Sequence, residues 1–281
     1  MNRVGYWVDL YQAEQRLGAG FLLTRRFVLT ALHCLRGKAD EETSVEVVLS
    51  DDRPVPGRVC RTAKDADLAL IEIMSSHDVA IPIPAAHVAR RGDRWRGPYR
   101  PDPGDAQLSG CVDDSSVRHV CEGGGSVEAL QLTADQLLGD YSGYSGSPVE
   151  GTSPEGGPAV LGILLEQVMD RQSTEYRAAN VLFAATVAEA MRRFDQFDVG
   201  HLIDVLRPPP VEHFPSPATQ EPTVLPRLAE RHSEAESLLI SLQRWSESNL
   251  IDPTQAAQLR LDVVQRVIDA EFGPSRHDGR I

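Results

Sequence analysis

Three short segments carry side chains that could act together in a reaction. In Phe27-Val28-Leu29-Thr30-Ala31-Leu32-His33-Cys34, a histidine follows directly on an apolar, strand-length run. Histidine titrates near neutrality and is the usual general base. Standing alone at a strand end, it equally fits a hydrogen-bonded core or edge residue. In Asp65-Ala66-Asp67-Leu68-Ala69-Leu70-Ile71, carboxylates enter a second apolar run, where an Asp can orient a histidine or simply cap the strand start. In Gly143-Tyr144-Ser145-Gly146-Ser147-Pro148, glycines flank a serine. They permit a tight turn that aims successive N–H groups into one pocket, as stabilisation of a developing oxyanion requires. Taken alone, that segment also reads as a plain loop.

In chain order the three segments resemble the chymotrypsin/trypsin-fold serine peptidases. In that family the histidine sits in T/S-A-x-H-C, the aspartate in D-[IL]-A-L and the serine in G-x-S-G-x-P, in the order His, Asp, Ser. The matching residues are His33 in Thr30–Cys34, Asp67 in Asp67–Leu70 and Ser145 in Gly143–Pro148, and the resemblance spans about residues 15–190. It implies acyl transfer. Ser145 would attack a peptide carbonyl, His33 would take its proton, and Asp67 would hold the imidazole. The backbone N–H groups of Gly143 and Ser145 would form the oxyanion hole. Asp65 is the alternative to Asp67, which is preferred because it abuts Leu-Ala-Leu. An α/β-hydrolase fits less well. Its G-x-S-x-G elbow would need glycine at position 147, and its histidine would have to follow the nucleophile, as His201 and His213 do, though His213 lies in a proline-rich stretch.

Several departures from the family pattern bear on control. Tyr144 stands where digestive members carry the Asp that receives a new N-terminus, and no I-V-G-G start is present. Gly18-Ala19-Gly20 occupies the region that usually supplies the disulfide partner of the cysteine after the histidine, so Cys34 is expected to be a free buried thiol. These features point to an intracellular peptidase with low basal activity, its oxyanion loop organised by substrate, oligomerisation or an activator. The opposing reading is a catalytically silent scaffold with a protease fold. For the primary specificity pocket, counting back from Ser145 puts Gly139 or Asp140 at its base, where Asp140 could serve a basic residue. Val160–Gln167 and Asn180–Ala185 would form its walls.

The elements that must position these residues read as mainly β. Short apolar runs at Gly20–Leu23, Phe27–Thr30, Val45–Leu49, Leu68–Ile73, Ala129–Leu132 and Val160–Leu165 alternate with turn residues, as in a barrel or sandwich. The resemblance makes this a double six-stranded β-barrel of trypsin-like type over residues 1–206. Weak strands are expected near Ser109–Val112 and Val117–Val120, and a helix over Ala184–Phe194. Seven prolines in residues 207–226 mark a semi-rigid linker. A helical hairpin module follows over 227–273. Its first helix carries Ala235, Leu238, Leu239, Leu242 and Trp245 at helical spacing, and its second starts at Asp252-Pro253. Residues 274–281 are expected to be a disordered tail.

A hairpin cannot bury two apolar stripes alone, so it should dock, dimerise or bind a partner. Together with G-Y-S-G-S-P-V, it resembles intracellular bacterial trypsin-like peptidases fused to small adaptor or effector-associated domains of conflict and anti-phage systems. That resemblance implies a protein activator.

Composition narrows the alternatives. Among 281 residues, 41% are hydrophobic and 25% charged, as in ordinary globular chains. The net charge of −13 argues against nucleic acid or an anionic membrane as partner. No apolar run approaches the ~20 residues that span a bilayer. The N-terminus lacks the pattern of a signal peptide, which predicts a cytoplasmic protein. The four cysteines show no C-x-x-C and no H-E-x-x-H occurs, so no metal and no cofactor is expected.

Overall fold

The computed structural model describes residues 5–35, 43–74, 85–121, 124–153, 156–169, 178–197, 225–248 and 250–272. The chain divides into two compact units, Met1–Phe194 and Asp195–Ile281. The first unit contains two closed barrels of antiparallel strands. Strands β1 (Trp7–Gln12), β2 (Gln15–Leu22), β3 (Phe27–Ala31), β4 (Ser44–Leu49), β5 (Pro54–Ala63) and β6 (Leu68–Ile73) close in the order β1-β2-β3-β6-β5-β4. Short β7 (Ala85–Ala86) leads to the second barrel. This is built from β8 (Arg94–Arg96), β9 (Ser109–Val120), β10 (Ser126–Ala134), β11 (Pro148–Thr152), β12 (Pro158–Met169) and β13 (Ala178–Thr186). These run β11-β8-β9-β10-β13-β12, and a β11–β12 pairing closes the ring.

The imperfect alternation in the sequence has a simple cause. β3 is buried at every position, and β6 at all but Glu72, because both faces of these strands are covered. β9 replaces the two weak strands expected there. Its polar run Asp113–Ser116 stays in the ladder with β10 through register irregularities around Ala129–Leu132, and the Thr133 hydroxyl donates to Asp113. The expected helix over 184–194 starts later. Ala184–Thr186 completes β13, and α1 (Val187–Arg192) begins after Thr186, whose side chain accepts the Glu189 N–H as an N-cap.

The second barrel packs Trp95, Leu108, Val112, Leu132, Val149, Leu161 and Leu182 around Tyr141 and Tyr144. Each such side chain withdrawn from water contributes about 1.5–3 kcal/mol. Polar bonds tie the barrels together. The Tyr6 hydroxyl donates to Glu150 at 2.8 Å, and Arg96 Nε donates to the same carboxylate at 2.8 Å. Tyr99 donates to Asp9 at 2.6 Å.

The second unit holds α2 (Leu225–Glu247) and α3 (Pro253–Phe272). Asp252 Oδ1 accepts the N–H groups of Thr254 and Gln255, so it caps α3 as its position before Pro253 predicts. Ala235 and Leu239 pack with Val263, Val264 and Val267. Leu238 and Trp245, from the same predicted stripe, remain exposed. Most of the expected linker and the whole expected tail lie outside the described residues.

Candidate active site

His33 and Asp67 are 34 residues apart, yet strand pairing makes them neighbours. Ala31 at the end of β3 pairs with Leu68 at the start of β6. The chain leaving β3 therefore meets the chain entering β6, and the Leu32 N–H donates to the Asp67 carbonyl at 2.9 Å. His33 lies in a single 3₁₀ turn, Leu32–Leu35, and Asp67 ends another, Lys64–Ala66. Asp67 is left-handed, with φ 52°. A non-glycine residue held there stores strain, a pattern common where a side chain must be aimed. Both carboxylate oxygens are engaged. Oδ1 accepts the His33 backbone N–H at 2.9 Å and Oδ2 lies 2.6 Å from His33 Nδ1. The Oδ1 bond fixes the His33 backbone, while Oδ2, which as a carboxylate oxygen accepts, orients the ring and places a proton on Nδ1, leaving Nε2 as the second functional nitrogen. The Asp67 hydrogen bond, then the Cys34 thiol, raise the His33 pKa to about 10, against a smaller opposing effect of burial. Asp65, the alternative carboxylate, instead pairs with Arg193.

Ser145 stands on the turn between β10 and β11. Gly143 and Gly146 both adopt positive φ there, 90° and 83°. The turn is closed by Tyr144 N–H to Tyr141 O and Ser147 N–H to Tyr144 O, and it is pinned to β12 by Gly146 N–H to Leu164 O at 2.8 Å. Among the described residues, no protein acceptor takes the N–H of Gly143 or Ser145. Tyr144 is buried, and its hydroxyl donates to the Ala106 carbonyl at 2.6 Å. A Cβ added at Gly143 would fall 3.1 Å from Pro101 Cβ. A neutral tyrosine anchor thus braces this loop where the family pattern would have an ion pair. Sequence reasoning treated Tyr144 only as the loss of an acid, since nothing local signals a partner 38 residues upstream.

The structure brings His33 and Ser145 into one cleft of about 240 Å3, lined also by Tyr141, Ser142, Leu164, Leu165, Glu166 and Gln167. Within it the Ser145 hydroxyl donates to the Leu165 carbonyl at 3.1 Å. Cys34 is a free buried thiol whose Sγ donates to the Ser145 carbonyl. Gly139 and Asp140 do not line the cleft. The exposed Asp140 carboxylate turns back to accept the N–H and hydroxyl of Ser142 at 2.9 and 2.6 Å, which holds its pKa below the usual range. The wall segments Val160–Gln167 and Asn180–Ala185 lie in β12 and β13, and both contribute to the cleft through Leu164–Gln167 and Leu182. His119 lies in β9 facing Glu166. Among the described residues no group of His, Cys, Asp and Glu is arranged to hold a metal, and no helix is long and apolar enough to cross a membrane.

Residues 18–156 match the family model described as a trypsin-like peptidase domain. No curated protein matches the chain. Among solved structures, the active form of the Rv3671c protease from M. tuberculosis aligns with a TM-score of 0.52 and 18% identity, over 68% of this chain and 80% of that one. The HtrA-type protease AlgW, solved with a decapeptide, aligns with a TM-score of 0.51 and 16% identity, over 69% of this chain and 65% of that one. At such identities the structural likeness speaks for the fold. The match over residues 18–156 and the paired barrels agree: the chain has a trypsin-like fold, and this stretch is similar to a trypsin-like peptidase domain.

Proposed function

We propose that the chain is a serine endopeptidase in which Ser145 is the nucleophile, His33 the general base and Asp67 its orienting carboxylate. The observation that carries this reading is that His33, which lines the cleft beside Ser145, is hydrogen-bonded to Asp67 through both its backbone N–H and its ring. A peptide carbonyl seated there is attacked by Ser145 Oγ while its proton passes to His33 Nε2. The new oxyanion accepts hydrogen bonds from the Gly143 and Ser145 N–H groups. Collapse expels the amine, which takes the proton from His33. Water then repeats the sequence in reverse and frees the acid.

The same reading includes latency. The Ser145 hydroxyl is turned to the Leu165 carbonyl rather than to His33. The helical pair, with Leu238, Trp245 and Leu259 exposed, suits a recruitment module for a protein activator. The resemblance to conflict-system peptidases supports a role in bacterial defence in the cytoplasm.

The test is labelling with a fluorescent fluorophosphonate from about pH 7 to about pH 10. Wild type is expected to label, and Ser145→Ala and His33→Ala are expected not to. A folded wild type that stays unlabelled throughout would mean a latent enzyme awaiting its activator or a scaffold that assembles through the helices, and labelling repeated with whatever the helices bind would separate the two. Tyr144→Phe removes the brace to Ala106 and should slow labelling about tenfold, while the thermal midpoint falls only a few degrees. An unchanged labelling rate would show that the brace does not organise the loop.

A further inference from the structure

One carboxylate in the cleft has no part in the mechanism above. Glu166 lines the cleft immediately after Leu165, the residue whose carbonyl accepts the Ser145 hydroxyl. His119 Nε2 lies 2.9 Å from Glu166 Oε2, and the His119 ring stacks on Phe183 with centroids 4.1 Å apart. The two side chains are only 13% and 19% exposed. Glu166 is therefore held in one orientation by a hydrogen bond whose donor is itself clamped by an aromatic ring. A carboxylate held this way gives up little further rotamer freedom when it meets a ligand.

The rest of the cleft matches one kind of side chain. Leu164, Leu165, Leu182 and Met169 supply apolar surface beside the polar Tyr141, Ser142 and Gln167, and no lysine or arginine is among the lining residues. An arginine or lysine has an apolar stem to lie along such a lining and a cation to meet a carboxylate at its end. A neutral or acidic residue would leave Glu166 without that return. Asp140 is not among the lining residues, and its Oδ1 is taken by the N–H and hydroxyl of Ser142.

We infer that Glu166, positioned by His119, is a specificity residue that selects substrates with a cationic side chain within a residue or two of the scissile bond. The inference rests on the peptidase reading of the cleft, so its test separates the two. The full chain carrying Ser145→Ala is titrated with fluorescent hexapeptides in which one position holds arginine or citrulline, an uncharged isostere, scanned through all six positions. Arginine is expected to tighten binding about tenfold over citrulline at one position, the scale of a charge-assisted hydrogen bond. In Ser145→Ala/Glu166→Gln, with its circular dichroism unchanged, that advantage is expected to vanish, while the citrulline peptides bind as before. An arginine advantage that is absent everywhere, spread evenly over all positions, or retained in the Glu166→Gln chain overturns the inference. Binding needs no catalysis, so fluorophosphonate labelling of wild type reports separately on the peptidase reading. Its failure beside an intact, Glu166-dependent arginine advantage would remove the chemistry and leave the recognition site standing.

Discussion

Asp67→Asn is expected to lower kcat/KM by about 10^4-fold near neutral pH, while the protein stays folded. The asparagine amide can still receive the His33 backbone N–H, which wild-type Asp67 accepts at 2.9 Å. What it loses is the charge beside His33 Nδ1, and with it both the tautomer and the stabilised imidazolium. The pH dependence carries an independent signature. Asp67 is the first cause of the rise in the His33 pKa from 6.5 to about 10. General-base attack requires a neutral ring, so the acid limb of kcat/KM in wild type should lie well above the ordinary histidine range, with activity still climbing beyond neutrality. In Asp67→Asn the limb should move down toward 6.5, the unshifted value. Stability follows the opposite sense. A group whose pKa is raised on folding stabilises the protein fully below its unfolded value and loses that contribution as pH rises through its folded one. The stability gap between wild type and Asp67→Asn should accordingly narrow between 6.5 and about 10. A wild-type limb at or below ordinary histidine, or a limb that Asp67→Asn leaves in place, would remove Asp67 from its proposed role.

What could be read from the chain, and what could not, divides by the range of the interaction. His33, Asp67 and Ser145 announce themselves through local segments, because strand ends and glycine turns have local requirements. β3 and β6 were visible as apolar runs, and their pairing, Ala31 with Leu68, is what gathers the first two side chains. The start of α3 was equally legible, since Asp252 and Pro253 meet a purely local need of the helix terminus. Features that depend on distant partners were hidden. The counting argument put Asp140 near the pocket base, but a local bond to Ser142 captures its carboxylate. Glu166 looks like a stray acid in a buried strand until His119, 47 residues away, is seen beside it. Tyr144 reads as a missing acid until its hydroxyl is found on Ala106. β9 reads as two strands in the sequence because Asp113–Ser116 has the composition of a turn, and pairing with β10 keeps it extended.

Gly146→Ala is expected to cost about 4 kcal/mol or more, through two effects that a second glycine can separate. At φ 83°, Gly146 occupies a conformation that an L side chain enters at a cost of about 1–2 kcal/mol. An added Cβ would also fall 2.1 Å from the Ala19 carbonyl oxygen and 3.0 Å from Thr30 Oγ1. These neighbours have little freedom to move. Ala19 is wholly buried in β2, is paired with Asp9 of β1, and accepts the Thr30 hydroxyl at 2.7 Å. Relief would require the Ser145 turn to move away from the first barrel, breaking the Gly146 N–H bond to Leu164 and carrying Ser145 from its place in the cleft. The thermal midpoint should fall by about 10 °C or more, at 2–4 °C per kcal/mol for a domain of this size, with fluorophosphonate labelling lost. Gly156 is the control. It has nearly the same φ, 84°, but nothing lies within 4 Å of its added Cβ. Gly156→Ala therefore isolates the backbone strain and should lower the midpoint only a few degrees, with labelling intact. Equal losses at the two positions would mean that the turn's conformation, and not its close approach to Ala19, is what demands glycine after Ser145.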